Sequence, residues 1–253
     1  MSEHFNKHPV KITPEEVKDY LQYLSDSKQV SPSTINQAIG VYKILQSDIL
    51  CNDWESIRIK RARPKKRLPV VFSKEEIASL VEMPKNLKHQ AILSITYSSG
   101  LRISEVMGLK VSDIDSGRML VRINQGKGKK DRYTILAKST LDLLRKYYRK
   151  YRPKEVLFPG IDPDRPISAR TIQFVFKRAM KKAGIAKEAY FHCLRHSFAT
   201  HLLEQGTNLK LIQQLMGHTT MRTTSTYLHV ARLDFQSVVS PGDKLISDSD
   251  GNS

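Results

Sequence analysis

Ten residues, Arg58 to Arg67, read RIKRARPKKR: seven are cationic, one is proline, and none belongs to an apolar repeat. No core can form around such a stretch, and Pro64 disfavours a helix interior or a central strand, so it reads as an extended linker between two folding bodies. The charge divides at the same place. Met1 to Ile57 carries five basic residues against eight acids, whereas Leu68 to Phe235 carries 29 basic and 14 acidic residues. The 253-residue chain has a formal charge of +17, which points to a polyanionic partner, nucleic acid first. At 40% hydrophobic residues the chain can bury a core, which excludes wholesale disorder and a fibrous fold. It lacks the roughly 18 consecutive apolar residues of a membrane span, so no membrane partner is expected, and its polar opening is unlike a secretory signal. Cys51 and Cys193 are too few to staple a scaffold and suit a reducing compartment, the cytoplasm or nucleoid.

The expected fold class is mainly α with a small antiparallel β-sheet (α+β), in two domains. In the first, Thr13 caps a helix with Pro14 at its first position and Glu16 at the capping-box position, followed by Val17, Tyr20, Leu21 and Leu24 at helical spacing. Ser31 and Pro32 open a second helix with a stripe of Ile35, Ala38, Ile39, Tyr42 and Leu45. In the second domain, helices are expected at Ser73 to Val81, Leu87 to Ser99 and Ser104 to Leu109, with Gly100 as a breaker. Met119 to Ile123 and Arg132 to Leu136 alternate as a hairpin around NQGKGKKD. Further helices follow at Ser139 to Tyr151, Ser168 to Ala183, His192 to Gln205 and Asn208 to Met216, the last closed by Gly217. The division is therefore 1–57, a linker at 58–68, 69–235, and a polar tail at 236–253 that is expected to be disordered.

The helix opening HCLRHSFATHLL has apolar residues on both sides, so it is expected to be buried nearly all round. His192 and Arg195 must then meet an anion, either a bound phosphate or an internal acid. His201, on the more apolar side, reads as a packed core histidine. The histidines four apart also invite a metal reading, but no second ligand cluster stands at metal spacing and Arg195 would repel a cation. Arg102, in GLRISE, opens a helix where backbone N–H groups favour anions, though it can equally pair with Glu105. Lys127 stands in the hairpin loop, where a lysine is most often surface decoration. Tyr227 lies on a Thr-rich stretch of poor helix propensity, a candidate for movement, and is one of ten tyrosines.

Together GLRISE, the lysine of GKG, HCLRH and GHTTMRTTSTY resemble, in order and spacing, the tyrosine recombinase (phage integrase) family, nearest its Xer type. The resemblance spans about Leu68 to Val230. LPVVFSKEEI resembles the start of the family's catalytic domain, and KITPEEVKDYL with SPSTINQ more weakly resembles its helical, SAM-like core-binding domain. The family usually has an additional leading helix where this chain has about a dozen residues.

The resemblance implies a site-specific recombinase that cuts and rejoins DNA through a 3′-phosphotyrosyl intermediate, with catalytic roles for Arg102, Lys127, His192, Arg195, His218 and Tyr227. Arg102 and Arg195 would clamp the phosphate with His218. Tyr227 would attack with His192 as candidate base, and Lys127 would protonate the leaving 5′-hydroxyl. No cofactor and no metal are implied. The implied partner is double-stranded DNA with paired half-sites, bound by a homotetramer. The candidate DNA contacts are Arg58, Lys60, Arg61, Arg63, Lys65, Lys66 and Arg67 of the linker, with Arg170, Gln173, Lys177, Arg178 and Lys181 of one helix. The rival functions are DNA relaxation of the type IB topoisomerase kind and a noncatalytic regulator of recombination.

If the linker cations reach phosphates, replacing Arg61, Arg63, Lys65 and Lys66 with Gln flattens the log–log dependence of DNA affinity on salt by about two to four units. Titrations at several salt concentrations check this, and an unchanged slope marks a solvated spacer.

Overall fold

The computed structural model describes residues 1–54, 59, 68–124 and 131–231. Lys127, the linker cations Arg58, Lys60, Arg61, Arg63, Lys65, Lys66 and Arg67, and the tail at 236–253 lie outside the described residues. The chain forms two compact units, Met1–Arg67 and Leu68–Ser253.

In the first unit, helix α2 (Pro14–Asp26) starts where a reciprocal cap starts it. Thr13 Oγ1 accepts from Glu16 N at 3.3 Å, and Glu16 Oε2 accepts from Thr13 N at 3.0 Å. Helix α3 (Pro32–Ile44) is capped by Ser31 and runs into one π-helical turn, Leu45–Ile49. Val17, Leu21, Ile39 and Tyr42 form the buried core with Ile12, and Ile35, Ala38 and Leu45 pack against it. The residues before Thr13 form a short helical turn, α1 (Ser2–Phe5), and a 3₁₀ turn, Pro9–Lys11. Met1 and Phe5 add to the core, so this segment enlarges a marginal cluster.

The second unit is built around helix α5 (Leu87–Ser98), whose Ala91, Ile92, Leu93 and Ile95 are fully buried. Packed on α5 are α4 (Lys74–Glu82), α7 (Lys138–Tyr151), α8 (Ala169–Lys182) and α9 (His192–Glu204). Short helix α6 (Ile103–Gly108) follows α5, and α10 (Leu209–Met216) and α11 (Met221–Thr224) complete the unit with a 3₁₀ turn, Ser225–His229. The hairpin strands are β2 (Leu120–Ile123) and β3 (Arg132–Ile135), and a short strand β1 (Ile114–Asp115), which the sequence pattern did not reveal, adds to β2 in the order β1-β2-β3. Strand β2 begins one residue later than expected because Met119 has φ 55, outside the extended region, and only its carbonyl pairs, with Leu136 N.

Gly100 ends α5 with φ +62, and a Cβ there would stand 2.3 Å from Phe198 Cδ1 of α9. The turn that leads into α6 therefore depends on both the left-handed backbone and the missing side chain. Gly100→Ala is expected to cost about 2 to 4 kcal/mol, combining left-handed strain with overpacking. Gly40→Ala, inside α3 with nothing within 4 Å of the added carbon, is expected to gain about 0.5 to 1 kcal/mol. Denaturant unfolding of the full chain measures both.

Candidate active site

At the start of α6, Arg102 and Glu105 meet two side chains distant in sequence, Arg132 and Arg195. Arg102 occupies the N-cap position and donates twice to Glu105, from its backbone N to Oε2 at 2.7 Å and from Nη1 to Oε1 at 2.8 Å. Arg132, at the start of β3, grips the same carboxylate with a two-pronged fork, Nη1 to Oε1 at 2.7 Å and Nη2 to Oε2 at 2.9 Å. Arg195 is fully buried, with Nη1 3.7 Å from Glu105 Oε2. It donates to the carbonyls of Gly100 and Met216. Its Nε is buried and has no hydrogen-bond partner among the described residues. Burial and neighbouring Arg102 lower the Arg195 pKa to about 9, so it stays charged at neutral pH. Burial alone would raise the Glu105 pKa, but hydrogen bonds and charge from Arg132, with Arg102 and Arg195, hold it at about 2.

Two arginines also fix the turn that carries His218. Arg132 Nε donates to Leu215 O at 3.0 Å and Arg102 Nη2 to Gly217 O at 3.3 Å. Gly217 has φ +60, and a Cβ there would approach Arg132 Cδ to 2.7 Å, so the arginine lies where only glycine admits it. His218 Nδ1 is 3.0 Å from Thr224 Oγ1, which orients the ring and leaves Nε2 for another partner. The rings of His218 and Tyr227 are nearly parallel, 6.4 Å between centroids.

Tyr227 is 2% exposed, on the 3₁₀ turn. Burial pushes its phenol up to about 12, against the pull of Arg195 and Arg102. Its Oη lies 3.1 Å from Nδ1 of His196. His192, the candidate base from the sequence, packs edge-on against His196 with centroids 4.7 Å apart. Burial first, and then neighbouring cations and histidines, hold His192 and His196 at about 4 and His218 at about 3. All three rings are therefore neutral at pH 7. His201 is buried and bonded to Tyr97 Oη at 2.9 Å, the packed core histidine expected. On α8, Arg170, Gln173, Lys177, Arg178 and Lys181 are all exposed, opposite buried Ile172, Val175, Phe176 and Ala179. Among the described residues no group of three or more His, Cys, Asp or Glu could hold a metal ion, and no helix is long and apolar enough to cross a membrane.

The profile of the phage integrase family matches residues 71–233, and that of the phage integrase N-terminal SAM-like domain matches residues 1–56. The chain belongs to the phage integrase family. This tyrosine recombinase is 41% identical over 230 residues to the putative integrase/recombinase y4qK of Sinorhizobium fredii, covering 90% of this chain and 74% of that protein. It is 31% identical over 241 residues to the tyrosine recombinase XerC of Lactobacillus leichmannii, covering 87% and 79%. Its fold is similar to that of the XerH site-specific recombinase bound to difH, with a TM-score of 0.71 at 22% identity over 95% of this chain and 72% of that one. The chain is thus a Xer-like site-specific recombinase, of a family of enzymes that cleave and rejoin DNA.

Of the residues expected in the recombinase site, Arg102, Arg195, His192, His218 and Tyr227 gather here, and Arg102 pairs with Glu105 as well. Sequence reasoning missed Arg132, Thr224 and His196. Arg132 reads only as a strand residue, and no local pattern links Thr224 to a histidine six positions before it. His196 shows in the sequence only as the second of two histidines four apart, and its partner is 31 residues away.

Glu105→Gln leaves Arg132 and Arg195 without their countercharge and is expected to cost about 3 to 5 kcal/mol at pH 7. Because the folded pKa lies below the ordinary 4.5, the carboxylate's contribution is complete above that value and fades as pH falls through about 2. Urea unfolding of both proteins between pH 7 and 3 should show the difference between them narrowing below about pH 4.5.

Proposed function

We propose that Tyr227 attacks a DNA phosphodiester to form a 3′-phosphotyrosyl link, which a 5′-hydroxyl from another strand then reverses. The observation that carries this reading is the buried Nε of Arg195, which has no hydrogen-bond partner among the described residues, set beside Arg102, His218 and Tyr227 in one cluster. A phosphate there meets the Nε of Arg195, the neighbouring charge of Arg102 and a neutral His218 whose Nε2 can donate, so charge is stabilised as it develops on the nonbridging oxygens. His192 adds a further hydrogen-bonding ring on the same helix as Arg195. Lys127, on the hairpin loop, protonates the departing 5′ oxygen.

The partner is double-stranded DNA with paired half-sites, bound by a homotetramer in the nucleoid, and the reaction serves integration and excision or the resolution of dimers. The XerH structure with difH supports the DNA partner. The exposed cations of α8 and the linker cations Arg58 to Arg67 supply phosphate contacts, joining the core-binding domain at 1–57 to the catalytic domain at 69–235. Relatives named as recombinases favour this reading over DNA relaxation or a noncatalytic regulator.

The test begins with supercoiled DNA lacking magnesium, with adducts mapped at 3′ ends to find the site. Tyr227→Phe is expected to bind that site and form no adduct. On a site with a 5′-bridging phosphorothiolate, whose sulfur leaves without a proton, Lys127→Ala is expected to regain its rate. Arg102→Ala and Arg195→Ala should stay slower by roughly 100-fold to 1000-fold. Adduct from the Tyr227→Phe variant would move the nucleophile elsewhere.

A further inference from the structure

A phenol at neutral pH needs a proton acceptor within hydrogen-bond reach before it can attack phosphorus. Among the described residues, the ring nitrogen bonded to Tyr227 is Nδ1 of His196, at 3.1 Å. His192 lies one helical turn earlier on the same helix and meets His196 edge-on, with the two ring planes at 89°. We propose that His196, rather than His192, is the catalytic group that accepts the proton of Tyr227. The inference rests on the recombinase reading above and names a residue for the same site.

The placement follows from the fold. His196 is half-buried on α9, directly after Arg195, whose side chain is held by the carbonyl of Gly100 in the turn after α5 and by that of Met216 in α10. The 3₁₀ turn Ser225–His229 packs on the same helix and brings Tyr227 to it. The titratable groups around His196 are His192 and Arg195 on its own helix, Tyr190 from the loop before it, edge-on at 6.4 Å, and Tyr227. Desolvation, then His192 and Arg195, keep His196 neutral at pH 7, so Nδ1 can hold a lone pair toward the phenol while the ring hydrogen sits on Nε2. The low basicity of the ring and the high pKa of the phenol keep the proton on Tyr227 in the resting protein. It moves only as the new bond forms, because bonding to phosphorus acidifies the phenol. The negative charge of a bound phosphodiester also opposes the arginines that depress the imidazole.

The Oη of Tyr227 bonds to phosphorus, its proton passes to Nδ1 of His196, and the bond from phosphorus to the 5′ oxygen breaks, that oxygen leaving with a proton from Lys127. In rejoining, the incoming 5′-hydroxyl bonds to phosphorus and gives its proton back to Lys127, while the imidazolium of His196 returns its proton to Oη as the tyrosyl bond breaks.

The experiment uses the full chain and its mapped site carrying the 5′-bridging phosphorothiolate, so that departure needs no proton and the single-turnover adduct rate reports the attack. His196→Asn keeps a polar atom near the Nδ1 position but cannot take up a proton. It is expected to bind DNA as the unsubstituted protein does, and to form adduct about 100-fold or more slowly at pH 7. Its rate should rise about tenfold per pH unit from 6 to 8 as hydroxide replaces the imidazole, where the unsubstituted rate is flat. His192→Asn, whatever its rate, should keep the flat profile. As a second variant, His196→Ala should be accelerated by added imidazole, and His192→Ala should not. A flat profile with an unchanged rate in His196→Asn, or imidazole rescue confined to His192→Ala, overturns the assignment and leaves the recombinase reading standing. Absence of adduct from the unsubstituted protein on a bound site overturns both.

Discussion

The carboxylate of Glu105 is the charge around which the catalytic unit is organised. Three guanidiniums, those of Arg102, Arg132 and Arg195, converge on one nearly buried anion. Without it, like charges would be packed in a medium that screens them poorly. With it, the cluster tolerates the arginines and still keeps an excess of positive charge, which is what a phosphodiester requires of its site. The same carboxylate caps the N-terminus of α6 through Arg102 N, so the anchor of the site is also a helix boundary.

The arginines also satisfy backbone groups that would otherwise be orphaned. Helices α5 and α10 direct their C-terminal ends at the cluster, where terminal carbonyls lack partners within their own helices. Arg195 donates to the carbonyls of Gly100 and Met216, and Arg102 and Arg132 to those of Gly217 and Leu215. Positive side chains at helix C-termini are favourable in themselves. Two glycines with positive φ, Gly100 and Gly217, let the chain turn away tightly enough for Phe198 and Arg132 to fill the space. The clustering of arginine charge and the termination of these helices are thus the same contacts, which couples the geometry of the site to the integrity of this unit.

Around that cationic centre the histidines act as uncharged groups. Burial and the neighbouring guanidiniums deny them protons at pH 7, so His218 and His196 are donors or acceptors by tautomer rather than extra cations. Both rings turn Nδ1 to a hydroxyl on the Tyr227 side of the site, His218 to Thr224 and His196 to Tyr227 itself. The short segment from Met221 to His229 therefore carries Tyr227 together with the group that orients His218, and a shift of that segment changes both.

The sequence by itself determined what depends on short-range physics. The Thr13 and Ser31 caps, the stripes of α2, α3 and α8, and the glycine that ends α5 are local, and each sits where spacing placed it. The motifs carrying Arg102, His192, Arg195 and His218 sit on or beside recognisable helix boundaries, whereas Tyr227, one of ten tyrosines, was legible only because the joint order of the motifs resembles one family. Strand β1, two residues long, has too little pattern to be read before its partner is placed. Only the tertiary structure decided which ring meets Tyr227 and which strand residue locks Glu105. The Tyr227–His196 and Arg132–Glu105 contacts join residues 31 and 27 positions apart, and such pairings are set by how helices and strands pack, which no local periodicity encodes. On a helix buried on nearly every side, a face can be read from spacing, but the partner of that face exists only once the chain has closed around it.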